Sequence, residues 1–325
     1  MRRGPARSAW RAGGRASAPG GQERWHHALL ADTPGRYRSC RVCHFRDGFG
    51  VGYGALTGGG AVSADPRIDT SVPHSARVWN FLLGGKDNYP VDRQAGERVF
   101  QTFPGMVDMA RHSRYMLIRV VRYLAGDAGI LQFLDIGTGL PTMDNTHEVA
   151  QRVAPEARVV YVDNDPLVLV HARALLTSSP EGATDYVEAD VRDPDAILAE
   201  AARTLDLTRP VALMLMGILG LVDDYDRARA IVARLMAALA PGSYLAVYDG
   251  TDTDPAYMEA IRAYNAGSGA VAYTPRSLDD IAGYLDGLEM VEPGVVPVTR
   301  WRPDSAPWGS LPEVACAGGV ARKRP

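Results

Sequence analysis

Cysteine is nearly absent from this chain, which has only Cys40, Cys43 and Cys316 in 325 residues. That excludes a disulfide framework and suits thiols kept reduced, so a cytoplasmic location is expected. Long apolar runs are absent as well. None reaches the roughly 18 to 20 residues that a membrane span needs, and the first residues carry no apolar segment of the kind that directs export. A charge excess is also missing. The formal net charge is -3 with both signs interspersed, which argues against a dedicated nucleic-acid surface. Neither membrane nor nucleic acid is therefore an expected partner. Apolar material is ample: 46% of residues are hydrophobic, enough for one large core or two small ones.

Residues 1–64 differ from the rest. They are rich in Arg, Gly, Ala and Ser and follow neither the helical nor the strand period, so a disordered extension is expected there. Within them Cys40-Arg-Val-Cys43-His44 matches the C-x-x-C-H pattern of covalent haem attachment. No export signal, helical pocket or clear second axial ligand accompanies it, so haem is not expected. Zinc on Cys40, Cys43 and one or two of His26, His27 and His44 is chemically open, yet the spacing matches no standard finger. No metal site is assigned.

Residues 65–128 read as a helical cap. Ser71 is a capping-type residue, and Val78, Phe81 and Leu82 follow at helical spacing. The polar loop from Gly84 to Pro90 ends that helix, and Val91–Phe103 and Val107–Ala125 read as two more. On spacing alone the loop is a connector.

Residues 129–325 are organised around Gln132–Thr142. The apolar run Ile130, Leu131, Phe133, Leu134 and Ile136 has strand character and stops at Gly137-Thr138-Gly139; Thr142–Ala154 then reads as a helix. Strand, glycine turn and helix together make a place where a ligand can lie against bare backbone, with helix amides aimed at it. Taken alone, Gly-x-Gly is a weak signal. A second strand, Arg158–Asp163, ends in an acid where a doubly wound sheet offers a carboxylate to a ribose diol. Asp165, two residues on, should point away. For Asp135, ligand positioning and stiffening of the glycine loop are both open.

Strand and helix then alternate. Leu167–Leu176, Pro194–Thr204 and Asp224–Ala240 read as helices, while Thr184–Asp190, Pro210–Met216 and Ser243–Asp249 read as strands. Such alternation requires right-handed crossovers and hence a doubly wound α/β sheet, with its ligand edge at the strand C-termini. Gly287–Trp301 and Glu313–Ala321 read as two closing strands with no helix between them, an antiparallel hairpin at one edge.

From Ile68 to the C-terminus the chain resembles the actinobacterial S-adenosyl methyltransferase family, formerly domain of unknown function 574. The resemblance rests on Ile68-Asp-Thr-Ser-Val-Pro-His-Ser-Ala-Arg-Val78, Leu83-Gly-Gly-Lys-Asp-Asn88, Phe133–Thr142, Val159–Pro166, Ala189–Pro194 and Trp301-Arg-Pro-Asp304. It implies a class I, Rossmann-like methyltransferase sheet of seven strands with a C-terminal antiparallel hairpin and an N-terminal helical cap. It also implies S-adenosylmethionine as cofactor and a small-molecule acceptor. By resemblance, Gly137, Thr138 and Gly139 approach the methionine part with Asp135, and Asp163 and Asn164 lie at the ribose. Asp190 and Val191 lie near the adenine, with Met216 at the end of the fourth strand. The Gly84–Tyr89 loop, through Gly85, Asp87 and Asn88, becomes part of the cofactor or acceptor wall.

One position departs from that family. Relatives commonly carry a His soon after the fourth strand, where this chain has Gly220. No Asn/Asp-Pro-Pro-Tyr motif for gripping a planar nitrogen is present. Catalytic residues stay unassigned, because a sulfonium already activates the methyl and orientation supplies most of the rate. His74, Tyr89, His112 and Asp249 are candidates if an acceptor must lose a proton, while His147 and His171 read as partly exposed helix surface. A protein that binds S-adenosylmethionine without transferring methyl is the first alternative. An NAD-linked oxidoreductase is a distant one, since Pro141 stands near the place of a third motif glycine.

Overall fold

The computed structural model describes residues 67–142, 144–175, 177–304 and 311–324. The expected extension over residues 1–64, with its Cys40-x-x-Cys43-His44 motif, lies outside them.

Three helices come first: α1 (Ser75–Leu82), α2 (Pro90–Thr102) and α3 (Met106–Gly126). Ser71 does not cap α1, and the reason is local. Its amide and hydroxyl both donate to Asp69 Oδ1, at 2.8 and 2.6 Å. His74 is the cap instead, its Nδ1 accepting from the Ala76 amide at 3.3 Å. Pro90 opens α2 where a missing N–H is harmless, and the Tyr89 amide before it donates to Asp92 Oδ2 at 2.8 Å.

The sheet follows. β1 (Gln132–Ile136), β2 (Arg158–Asp163), β3 (Ala183–Glu188), β4 (Ala212–Met216) and β5 (Tyr244–Gly250) run parallel in the order β3-β2-β1-β4-β5. The connecting helices are α4 (Thr146–Val153), α5 (Pro166–Leu175), α6 (Pro194–Ala201) and α7 (Tyr225–Ala238). After β5 come α8 (Pro255–Gly267) and α9 (Leu278–Gly283), in a stretch where the sequence reading assigns nothing. Both have recognisable starts. Asp254 accepts from the Ala256 and Tyr257 amides, and Ser277 exchanges hydrogen bonds with Asp280.

Alternate residues of each strand serve opposite faces. Phe133 of β1 belongs to one buried cluster with Met116 and Val120 of α3, Val149 of α4 and Tyr257 of α8, whereas Leu134 belongs to another with Ile197 of α6 and Ile231 and Leu235 of α7. Both faces are thus covered, and this is why β4 reads Ala-Leu-Met-Leu-Met with no polar residue.

At the far edge β8 (Cys316–Arg322) runs antiparallel to β5. The closing strand expected over Gly287–Trp301 is interrupted: β6 (Glu289–Met290) and β7 (Val296–Pro297) pair separately with β8. Pro293 has no N–H to give to a ladder and Gly294 turns at φ 84, so the chain leaves the sheet between the two pieces. As one broken strand they complete a seven-stranded sheet, and counted apart they make it eight-stranded. Among the described residues, no helix is long and apolar enough to cross a membrane.

Candidate active site

The C-terminal ends of β1, β2, β4 and β5 open into one cavity roofed by α1, α3 and α8. At its wall, β1 gives way to a turn in which Gly137 and Gly139 take φ 74 and 68. Other residues resist those angles. Gly137 is also closely packed, since a Cβ there would lie 2.6 Å from Ile218 Cδ1. The turn therefore presents bare backbone to the cavity, together with Thr138.

Asp163, at the end of β2, lines the same wall and is 6% exposed. Its Oδ2 accepts from the Gly139 amide and its Oδ1 from the Asp165 amide, both at 2.9 Å. Burial raises its pKa, and those two amides oppose the rise. One lone pair on each oxygen stays available, so the side chain can stiffen the glycine turn and still accept from a diol.

Asp135 lines the cavity too, and its Oδ2 accepts from the Thr146 hydroxyl of α4 at 2.6 Å. Burial pushes its pKa up to about 6, against the pull of Thr146 and Arg114. Asn164, Asp190, Val191 and Met216 are brought to the cavity as well. Asn164 Nδ2 donates to Asp190 Oδ2 at 3.2 Å, and Asp190 also holds Arg192 at 2.9 Å.

Gly85, Asp87 and Asn88 are not on the cavity wall. They brace Asn80, which is: Asn80 Oδ1 accepts from the Asn88 amide side chain at 2.8 Å and from the Asp87 backbone at 3.1 Å. Gly85 is needed there because a Cβ would come within 2.3 Å of Asn80 Nδ2. The wall role expected for this loop is thereby corrected to support from behind.

Of the proton-acceptor candidates, His74 lines the cavity, whereas Tyr89 and His112 do not. Tyr89 lies under the Arg77 guanidinium, and His112 meets Tyr115 edge-on along α3. His147 is not on the surface. It is 1% exposed, accepts with Nδ1 or donates to the Tyr161 hydroxyl at 2.8 Å, and burial lowers its pKa. His171 is partly exposed, 3.8 Å from Asp87. Asp249 sits one layer behind the wall. Its Oδ1 accepts from the Tyr273 hydroxyl at 2.7 Å and the Gly220 amide at 3.3 Å, while Oδ2 has no partner. Burial pushes its pKa up to about 7, against those two hydrogen bonds and Arg276.

Several wall residues escape the sequence reading, Arg114 and Tyr273 among them. Arg114 lines the cavity near Asp135, with Nη2 donating to the Asp144 carbonyl at 2.9 Å. The available signal is its position on α3, four residues after buried Ala110 and three before buried Leu117, where a surface cation does not belong. Tyr273 lies in the loop between α8 and α9, for which no periodic signal exists. Much of the remaining wall is apolar, with Val78 and Leu82 of α1, Val99 of α2, Met106 and Leu117 of α3, and Ile261 of α8, and Asn80, Tyr257 and Tyr264 stand among them. Among the described residues no cluster of His, Cys, Asp and Glu is placed to hold a metal ion.

A family profile described as S-adenosyl methyltransferase matches residues 61–324. Two crystal structures are similar over most of the chain. A DUF574-family protein of Streptomyces avermitilis is 47% identical with a TM-score of 0.75, covering 78% of this chain and 99% of its own. A protein of Thermobifida fusca, proposed to be a methyltransferase, is 44% identical with a TM-score of 0.74, covering 82% of this chain and 100% of its own. Nothing among the curated proteins matches.

Proposed function

The chain belongs to the S-adenosyl methyltransferase family, and from that premise we propose that it carries a methyl group directly, in line, to a small apolar acceptor held beside the cofactor in the cavity. The supporting observation is the continuity of that cavity. Its polar end carries Asp135, the Gly137–Gly139 turn and Asp163, and its other end is the apolar wall of α1, α2, α3 and α8.

S-adenosylmethionine, when bound, supplies a methyl already activated on a sulfonium. The residues present suit it. Asp163 has a spare lone pair on each oxygen for the two ribose hydroxyls, and the bare turn at Gly137, Thr138 and Gly139 admits the methionine portion. Arg114 offers a cation for the methionine carboxylate, and Asp135 a carboxylate for its amine. Asn164, Asp190 and Val191, on the same wall, would border the adenine, and Met216 would flank the methyl. Excluding water and aligning the acceptor are the tasks of the apolar roof.

Calorimetry tests this reading. S-adenosylhomocysteine should bind and NAD should not; heat from NAD alone would overturn it. Arg114→Met should weaken S-adenosylhomocysteine binding by about tenfold or more, the loss of one charge-assisted hydrogen bond. Unchanged affinity in a variant that still melts cooperatively would remove Arg114 from the cofactor site.

A further inference from the structure

Tyr273 and Asp249 form a unit that cofactor binding does not use. The Tyr273 ring lines the cavity, and its hydroxyl is held from two sides: it accepts from the Gly250 amide at 2.8 Å and donates to Asp249 Oδ1 at 2.7 Å. The ring has room only because residue 220 is glycine. A Cβ on Gly220 would lie 2.4 Å from Tyr273 Cε2, and the Gly220 amide itself donates to Asp249. Gly220 thus seats the ring and holds the acid behind it. Asp249 is 0% exposed, yet its Oδ2 has no hydrogen-bond partner. A buried carboxylate left half-satisfied is expensive, and such groups concentrate where chemistry is done.

We propose that Tyr273 is the proton acceptor for the methyl acceptor and hands its own proton to Asp249, so that the acceptor nucleophile is a hydroxyl on a largely apolar molecule. This rests on the methyl-transfer reading above. The phenol oxygen accepts from Gly250 and stands beside the Tyr257 hydroxyl, whose hydrogen bond to Tyr273 gives way to the incoming O–H. The acceptor proton goes to Tyr273 Oη as the Tyr273 proton moves to Asp249 Oδ1. A new O–CH3 bond forms and the S–CH3 bond breaks. The sulfonium charge disappears with the methyl, and the one proton released remains on Asp249 until water takes it. Asp249 acts through Tyr273 and is a positioning residue.

The substrate class follows from what surrounds the hydroxyl. Val78, Met106, Leu117 and Ile261 offer no hydrogen bonds, and Asn80, Tyr257 and Tyr264 supply a few polar groups on the same wall, so the molecule is largely apolar around the reacting group. The groups facing Asp249 leave one poised acid among tyrosines and a thiol, with the Arg276 cation beside them. Tyr273 and Arg276 reach it from the α8–α9 loop, Tyr257 from α8, Tyr284 from α9, Cys316 from β8 and Tyr248 from its own strand. Burial raises the tyrosines and the thiol above their ordinary values, which leaves Asp249 as the group that titrates near neutrality.

The probe is 4-nitrophenol, whose phenol and phenolate absorb at different wavelengths, added to protein already loaded with S-adenosylhomocysteine. Loading is verified first by calorimetry, so a protein that fails to load refutes the methyl-transfer reading and not the relay. In loaded wild-type protein, the bound probe should show the phenolate band at pH values where the free probe is still mostly phenol. Tyr273→Phe should abolish that band while binding of the probe, measured by dialysis, falls by no more than a few-fold. Asp249→Asn should abolish it as well. A loaded protein that takes up no probe, a bound probe whose spectrum matches the free one at every pH, or a band that survives Tyr273→Phe would each overturn the proposal. Tyr273→Phe removes one oxygen and keeps the ring that sits on Gly220, so the test stands even if Asp249→Asn fails to fold.

Discussion

Arg77→Met is expected to lower unfolding free energy by about 3 to 5 kcal/mol, the usual result of stripping one partner from a buried ion pair. Arg77 on α1 is 3% exposed and Asp165 0%, and the pair is bidentate, with Nε to Oδ2 at 2.7 Å and Nη2 to Oδ1 at 2.9 Å. The same guanidinium donates to the Asp69 carbonyl at 2.7 Å, so one side chain ties the entry to α1 onto the β2–α5 turn. Without it Asp165 keeps the Leu167 amide at 3.0 Å, while His74 Nδ1, 3.3 Å away, is itself accepting from Ala76. Because α1 forms part of the cavity roof, cofactor affinity should fall as well. Chemical denaturation measures the first effect, and adding Asp165→Asn should recover part of it by removing the unpaired charge while keeping an acceptor for Leu167. A midpoint unchanged by Arg77→Met would mean that the pair contributes nothing net.

Asp249 and Asp135 give the second large effect, which concerns pH. Both have native pKa values raised above an unfolded value of 3.8, to about 7 and about 6. A carboxylate of this kind binds its proton more tightly when folded. Its contribution is therefore favourable below the unfolded value and is lost as pH climbs through the native one. Between about pH 5 and about pH 8, Asp249 alone should remove on the order of 3 kcal/mol of stability. Asp249→Asn should cancel that portion, so the stability difference between variant and wild type shifts toward the variant as pH rises. Parallel curves for the two proteins over this interval would show that Asp249 does not titrate there. A carboxylate this unfavourable at neutral pH fits a group kept for proton transfer rather than for folding.

The elements legible in the sequence are those whose signal is local and periodic. The five parallel strands, the glycine turn and the acid at Asp163 each follow from apolar runs ending in Gly or Asp, and the structure places them at one sheet edge. Errors came where one particular partner, near or far in sequence, outcompetes the general rule. Ser71 looks like a cap, but Asp69 takes its donors and His74 replaces it. His147 looks like surface because helical spacing cannot reveal that the Tyr161 hydroxyl waits beneath it. Asp165 reads only as pointing away from Asp163's ligand, and spacing gives no sign that it is a buried ion-pair partner of a residue 88 positions away. Gly85, Asp87 and Asn88 look like a wall because polar loops often cover ligands, whereas here their donors are spent on Asn80. Tyr273 was invisible for a different reason. Its place depends on the absence of a side chain at Gly220, 53 residues earlier, and no pattern of period 2 or 3.6 carries that information.

The most direct test of the central claim is the affinity of S-adenosylhomocysteine for Asp163→Asn beside wild type, measured by calorimetry at one pH. Asn keeps the size of the side chain and one carbonyl oxygen, so the bond from the Gly139 amide, 2.9 Å in the native turn, can persist while the charge facing the ribose is lost. Two charge-assisted hydrogen bonds of about 1.5 to 3 kcal/mol each are weakened or removed, and the account predicts that affinity falls at least about tenfold with the melting transition still cooperative. Equal affinity in the two proteins would contradict it, and would mean that the carboxylate at the end of β2 serves only to hold the glycine turn.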